Sequence, residues 1–463
     1  MNETRKSIRR IFWVFFLIFL SVIIYIIKIE AVDRDKIISN TYNPRLSITD
    51  ESVKRGSILD AGGNVLAESV LTDLGYAREY PMGTCAAHVV GYVGVGKTGM
   101  EAAAGFKLTN IHNEFLQRIR NAFFEEEIEA DSLVLTIDSG ATKKARELLG
   151  GNKGAVVMME PRTGRVVAMA SSPDFDPNTA AEKRGDLKDR EDSPLLNRAV
   201  SGYYTPGSTF KLVTALAAMR NMENWQDYTY ECTGEETFQE KTIHCAGNKA
   251  HGTVDMADAV RVSCNCYFAK IGTMIGAGAL RQTAESLKFN STLPFLLGDS
   301  ISSVTLDAGS SESKLVETSF GQGETLVTPL YMAALASAIA NDGVMMEPYI
   351  VSHEEYYNGK TGNYTIPKTL GRVMTKVEAD KLTDMMAGVV ENGTGSSAAL
   401  WGYQVAGKTG TAENPKGSAH LWFMGFVMKD GEPLYSVAVV IENPEGWANA
   451  SWVAGQLFAY VCE

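Results

Sequence analysis

Ser208 and Lys211, three residues apart in Tyr204-Thr205-Pro206-Gly207-Ser208-Thr209-Phe210-Lys211, are the pair from which nucleophilic chemistry can be built. Pro206 and Gly207 break whatever precedes them, and Phe210, Leu212, Val213, Leu216 and Met219 continue as an apolar helical run. Ser208 is therefore predicted at a helix N-terminus, where backbone N–H groups and the positive dipole end favour developing negative charge. Lys211 lies one turn on, on the same face, and a desolvated amine there can act as base to the hydroxyl. The spacing alone is weak, because an N-cap serine beside a snorkelling lysine has the same letters. Ser311-Glu312-Ser313-Lys314 repeats them in a stretch that reads as a polar loop with no apolar helix after it.

Two further stretches supply what an acyl transfer would need. Ser263 and Asn265, two residues apart before an apolar run, offer a hydroxyl to shuttle a proton and an amide to hold a substrate amide. Gly407-Lys408-Thr409-Gly410-Thr411 stands at a predicted strand start, and Lys408, Thr409 and Thr411 could hold a carboxylate while Gly407 and Gly410 leave room for backbone approach. Rival chemistries fare worse. Gly91–Thr98 and Gly402–Thr409 both satisfy G-x-x-x-x-G-K-[ST], but the second runs into a strand where a phosphate loop needs a helix. No G-x-S-x-G is present, and His88, His112, His244, His251, His353 and His420 have no acidic partner pattern.

The elements that must position these residues read as follows. Residues 132–138 form a strand, followed by a helix through Lys143, Ala145 and Leu148. Residues 154–160 and 165–170 form a hairpin turned by Pro161-Arg162-Thr163-Gly164. A long, largely helical middle follows the Ser208 helix. Three strand-like runs at 404–407, 421–428 and 434–441 precede a closing helix over 451–460. Strands at both ends around a helical middle predict one α/β domain whose sheet is completed by distant parts of the chain. Before it, residues 30–129 read as a small irregular pedestal with a charged amphipathic helix over 112–127.

The chain has 463 residues, enough for two or three domains. Its net charge of −12, with no basic run beyond the N-terminus, argues against nucleic acid as a partner. Ile11–Ile27 is uncharged and flanked by Arg5, Lys6, Arg9, Arg10 and Lys28. This predicts an uncleaved membrane anchor with Met1 inside and the rest of the chain outside, since residues 29–31 lack a small-x-small cleavage pattern. Six cysteines do not make a disulfide framework in a chain this size; Cys232 and Cys245 bracket a polar loop and are candidates for one bridge. No metal site is expected, because the twelve residues between those cysteines are not ligand spacing even with His244 and His251 nearby. No cofactor is expected either.

The ordered set S-x-x-K at 208, S-x-N at 263 and K-T-G at 408 resembles that of penicillin-binding proteins and class A β-lactamases. Arg55-Gly56-Ser57-Ile58-Leu59-Asp60, Gly91-Tyr92-Val93-Gly94, Gly99-Met100-Glu101, residues 172–178 and 196–199, Gly321-Gln322-Gly323, Thr328-Pro329 and Gly393-Thr394-Gly395 extend the resemblance to class B penicillin-binding proteins, nearest their short, penicillin-binding protein A-like members. Asp60-Ala61-Gly62-Gly63 departs from the family's usual Asp-Arg-Asn-Gly, and Cys264 fills the middle of the second motif.

The resemblance implies a penicillin-binding/β-lactamase-like transpeptidase domain, an antiparallel sheet flanked by helices with an all-helical subdomain, over 131–463. A cytoplasmic tail (1–10), an anchor (11–28) and a dimerisation-like pedestal (29–130) would precede it. It implies a penicillin-sensitive peptidoglycan D,D-transpeptidase. Ser208 would attack D-Ala-D-Ala stem peptides or β-lactams, with Lys211 as base, Ser263 as proton relay and Asn265 as anchor. Lys408 would supply positive potential, and Thr409, Gly410 and Thr411 would bind substrate. The backbone N–H groups of Ser208 and Thr411 would form an oxyanion hole. A membrane-anchored β-lactamase or D,D-carboxypeptidase, or a non-catalytic β-lactam-binding scaffold, is the alternative. About 100 residues outside the membrane before the catalytic domain are too few for a glycosyltransferase, so the resemblance also implies a SEDS-family glycosyltransferase partner.

Overall fold

A computed structural model describes residues 2–29, 54–73, 75–109, 130–239, 241–414, 417–444 and 446–463. The helix expected over 112–127 lies outside the described residues. The sheet that carries the site has five antiparallel strands in the order 404–414, 417–429, 432–441, 154–159 and 166–172. The chain's last strands thus pair with its early hairpin, Val439 opposite Val156 and Val440 opposite Ala155.

Period-2 patterning decides which side chains go where. Val156, Met158, Val437, Val439 and Ile441 face one apolar cluster with the helices Ser139–Leu148 and Ala450–Cys462. Ala155, Val157, Met159, Ala438 and Val440 face the larger core on the other side. Both faces are covered, so every residue of Gly154–Met159 and Val166–Ser172 is buried; each buried valine contributes about 1.5–3 kcal/mol. The second face packs on the helix Pro329–Ala340, whose residues are all buried. Thr328 caps that helix by accepting from Tyr331 N, Pro329 takes its first turn, and Ser337 Oγ meets Ser436 Oγ of the sheet at 2.6 Å.

The middle of the chain is less helical than its sequence predicts. Between the helices Lys211–Asn221 and Met256–Arg261 lie two small antiparallel pairs, Tyr230–Cys232 with Gly252–Val254 and Glu235–Phe238 with Lys241–His244. Strands this short are hard to recognise by periodicity. The pedestal also contributes to a second sheet, which the sequence reading misses. Its six strands run 361–362, 351–355, 132–135, 58–59, 65–72 and 75–79, so segments on both sides of residue 131 share it. Arg55 and Arg78 clamp Glu101 within it, at 2.8 and 2.7 Å, with all three side chains buried.

Candidate active site

Ser208 lies in a 3-10 turn, Gly207–Phe210, that opens the helix Lys211–Asn221. Residues 211–218 are all buried, so this helix runs through the core, and Ser208 in the turn that opens it lines the cleft. Gly207 has φ +55, and a Cβ there would come 2.6 Å from Thr411 O. Its N–H donates to Gly321 O at 2.9 Å, and a Cβ on Gly321 would lie 1.9 Å from Gly207 O. The approach is pinned as well. Trp422 Nε1 donates to Thr205 O at 3.1 Å, and Tyr204 N to Val327 O at 3.0 Å. The Tyr204 hydroxyl donates to Glu442, which also accepts from Arg198 Nε at 2.8 Å.

Ser263 sits between the helices Met256–Arg261 and Asn265–Ser286 with φ +59, a left-handed conformation costly for any residue but glycine. Holding it there turns its hydroxyl inward. Lys211 Nζ donates to Ser263 O at 2.7 Å, to Ser263 Oγ at 3.1 Å and to Asn265 Oδ1 at 2.7 Å, which uses all three ammonium protons. The sequence places Lys211 within reach of Ser208; in this arrangement it is instead committed to Ser263 and Asn265. The Asn265 amide is itself fixed by donating from Nδ2 to His244 O at 2.8 Å.

Lys408 reaches the same hydroxyl from the sheet. Its Nζ lies 3.1 Å from Ser263 Oγ and 2.9 Å from Thr409 O. Both lysine side chains are fully buried. Burial pushes Lys211 down to about 8, and burial together with the neighbouring Lys211 charge holds Lys408 well below an ordinary lysine. Because Ser263 Oγ accepts from both cations, its own proton is free to point elsewhere as a donor.

The K-T-G segment lies within the strand Gln404–Asn414 rather than at its start, and that strand is the edge of the sheet. Alternation puts Thr409 and Thr411 on the cleft side, while Lys408 projects to the opposite, buried face. Lys408 Nζ thus meets the cleft-lining Ser263 from the buried side of the strand, whereas Thr409 and Thr411 face the cleft directly. The cleft is about 540 Å³, and Ser208, Ser263, Asn265, Thr409, Gly410 and Thr411 line it together. Thr394 joins them, with its Oγ1 2.6 Å from Thr409 Oγ1, as does Gln322, whose Nε2 donates to Thr411 O at 3.4 Å. Neither is given a role by the residues alone; both stand in the Gly-flanked motifs 393–395 and 321–323, which is the signal that marks them.

Other sequence expectations separate here. The Ser311 stretch is not a loop: Ser311 caps the helix Glu312–Ser319, which buries Leu315 and Val316. Its Lys314 pairs with exposed Glu324, away from the cleft. Gly91–Thr98 follows a short helix, not a strand, as a closed turn where a Cβ on Gly91 would meet Thr98 O at 1.8 Å. His88 is buried against Pro194 O, and burial pushes it down to about 4. Cys232 and Cys245 are not bonded, with Sγ atoms 3.7 Å apart, and they converge with Cys264 and His251 at the wall of the cleft, which Cys245 and His251 line.

Residues 154–463 match the family model described as the penicillin-binding protein transpeptidase domain, and residues 55–133 that of the penicillin-binding protein A dimerisation domain. The peptidoglycan D,D-transpeptidase PbpA of Mycolicibacterium smegmatis is 32% identical over 87% of this chain and 86% of its own. The D,D-transpeptidase domain of an Eggerthella lenta peptidoglycan glycosyltransferase superposes with TM-score 0.80 at 33% identity, over 89% of this chain and 98% of the other. Penicillin-binding protein A from M. tuberculosis, solved as an imipenem acyl-enzyme complex, superposes with TM-score 0.83 at 30% identity over 89% and 99%.

Proposed function

This chain belongs to the penicillin-binding protein transpeptidases, and we propose from that premise that it cross-links peptidoglycan stem peptides through an acyl-enzyme on Ser208. The observation that carries the roles is the buried Lys211–Ser263–Lys408 cluster beneath the serine turn. Two buried ammonium groups sharing one hydroxyl oxygen repel, so the first proton leaves more readily than from an isolated lysine. The neutral Lys211 amine takes the Ser208 proton as Oγ attacks the penultimate D-alanine carbonyl. Ser263 then donates its proton to the departing D-alanine nitrogen and is reprotonated from Lys211, while Lys408 keeps the local potential positive.

The oxyanion sits at the N–H groups of Ser208 and Thr411, a contribution of about 2.7–4 kcal/mol for one such donor. Thr409 and Thr411 hold the terminal carboxylate, and the free edge of strand 404–414 lies beside Ser208 to receive an extended peptide. An amine from a neighbouring strand then attacks the acyl-enzyme along the reverse proton path. A β-lactam enters by the same step, but its leaving nitrogen stays tethered to the acyl group.

The helix Asn2–Lys28 carries an apolar stretch, Arg5–Ile26, of mean hydropathy 2.1 with none of it buried. We read it as a single-pass anchor with the N-terminus inside and the catalytic domain outside, as the flanking Arg residues favour. The two matched domains are described as a transpeptidase and a dimerisation domain, and glycan polymerisation is assigned in this reading to a partner polymerase of the SEDS class, as the family resemblance implies. The reading is tested with lipid-linked substrate and a cognate polymerase: wild-type chain yields cross-linked muropeptide dimers, and Ser208→Ala yields only uncross-linked glycan. Dimers formed by Ser208→Ala would overturn it, and release of D-alanine to water alone would make the chain a carboxypeptidase.

A further inference from the structure

We propose that Cys232, Cys245, His251 and Cys264 bind one zinc ion, and that this ion pins the Ser263–Asn265 turn to the small hairpins beside it. The four ligating atoms lie within 4.8 Å of one another, three of the residues buried and His251 half-buried. A tetrahedral zinc with bonds of about 2.3 Å to sulfur and about 2.0–2.1 Å to nitrogen sets edges of about 3.8 Å between sulfurs and about 3.5 Å from sulfur to nitrogen. Three of the six edges in the structure are 3.7 Å for Cys232–Cys245, 3.7 Å for Cys245–Cys264 and 3.5 Å from Cys232 Sγ to His251 Nδ1, and the other three lie within 4.8 Å. A disulfide would need about 2.05 Å.

The ligands come from four separate places in the fold, which is why no linear spacing reveals them. Cys232 ends one short strand, Cys245 follows another, His251 precedes the strand Gly252–Val254, and Cys264 caps the helix Asn265–Ser286. These strands have three or four residues each and alternate exposed with buried side chains, too little apolar surface to hold themselves in place. Three thiolates and one imidazole in a closed tetrahedron favour zinc, and with no open position the ion is structural. The Cys264 sulfur already accepts from Tyr267 N at 3.4 Å, the kind of outer hydrogen bond that orients a thiolate ligand. On binding, the three thiols release three protons, the ion sheds its waters, and neutral His251 donates through Nδ1.

The consequence for the cleft rests on the transpeptidase reading, whereas the metal itself does not. Cys264 lies between Ser263 and Asn265, and Cys245 follows His244, whose carbonyl holds the Asn265 amide. The ion therefore ties down both residues that hold Lys211.

The test uses the full chain, purified in detergent under reducing, chelator-free conditions, with metal measured by inductively coupled plasma mass spectrometry. One zinc per chain is expected, falling to under a tenth of that in Cys232→Ser and His251→Ala. Cys266→Ser is expected to keep it: that sulfur is 3.6 Å from Cys245 Sγ and donates to Ile243 O, but stands outside the tetrad. Should the ligand variants fail to fold, cobalt loaded into the wild-type chain should give thiolate-to-cobalt charge transfer and tetrahedral d–d bands. Absence of zinc and of those bands in chain that still reacts with penicillin would overturn the site, as would full zinc in His251→Ala or a Cys232–Cys245 disulfide in a non-reducing peptide map of chain purified without reductant. Chelation should slow penicillin acylation at least tenfold, restored by added zinc; an unchanged rate would overturn the pinning role.

Discussion

Lys211 and Lys408, brought in from a helix and a strand nearly two hundred residues apart in the chain, donate to one oxygen, Ser263 Oγ, each at 3.1 Å. Two buried ammonium groups on one hydroxyl are electrostatically costly, and the cost is relieved when one gives up its proton. A resting base follows from that arrangement.

The pH dependence has a definite sign. Burial lowers Lys211 to about 8, and the neutral amine is the active form. The second-order rate of β-lactam acylation is expected to fall about tenfold per pH unit below that value and to level off above it. Lys211→Arg, which stays charged throughout, should abolish the reaction at every pH. Stopped-flow acylation across the range checks this; a rate that declined with rising pH would contradict it.

Asn265→Ala removes the Oδ1 acceptor of Lys211 and the Nδ2 tie to His244 together. Acylation is expected to fall by about 10²–10³, with stability lowered by about 1–3 kcal/mol for the buried donor left unpaired. The two effects are read separately, by acylation kinetics and by thermal unfolding.

Gly321→Ala forces a Cβ against Gly207 O, 1.9 Å away, at a backbone φ of +81. The serine turn must shift, so penicillin labelling should drop by more than tenfold while circular dichroism shows the fold retained. Gly431→Ala also has positive φ, but in an open turn where a Cβ meets nothing, and should label as the wild type does.

How much of this was visible beforehand depended on the range of the interactions. Ser208 with its helix, the buried hairpin 154–172 and the last two strands are local patterns of period 3.6 or 2, and they stand where the sequence put them. The motif order brought Ser263, Asn265, Thr409 and Thr411 to the same cleft. That Lys408 turns away from Thr409 follows from strand alternation once the strand predicted to start at Gln404 is known to run on through Asn414. The six-stranded pedestal sheet was illegible because it joins residues 58–79 to residues 351–362, and two-residue strands carry no period. The Ser311 helix hid behind polar letters because, of its four buried residues Leu315, Val316, Thr318 and Ser319, only the first two are apolar.

In the pedestal, Glu101→Ala leaves Arg55 and Arg78 buried around an empty position. A loss of about 3–5 kcal/mol is expected. Penicillin acylation of protein that remains folded should be unchanged, because the triad does not touch the cleft. Denaturant unfolding of wild type and variant measures the loss; a change below about 1 kcal/mol would show the clamp to be structurally idle.

The central claim is an acyl-enzyme on Ser208, and intact-protein mass spectrometry after exposure to benzylpenicillin addresses it most directly. Wild-type chain should gain the full mass of one penicillin and keep it for many minutes, with the adduct on the peptide containing Ser208, and Ser208→Ala should gain none. A persistent adduct on Ser208→Ala, or penicillin hydrolysed with rapid turnover by the wild type, would contradict the account.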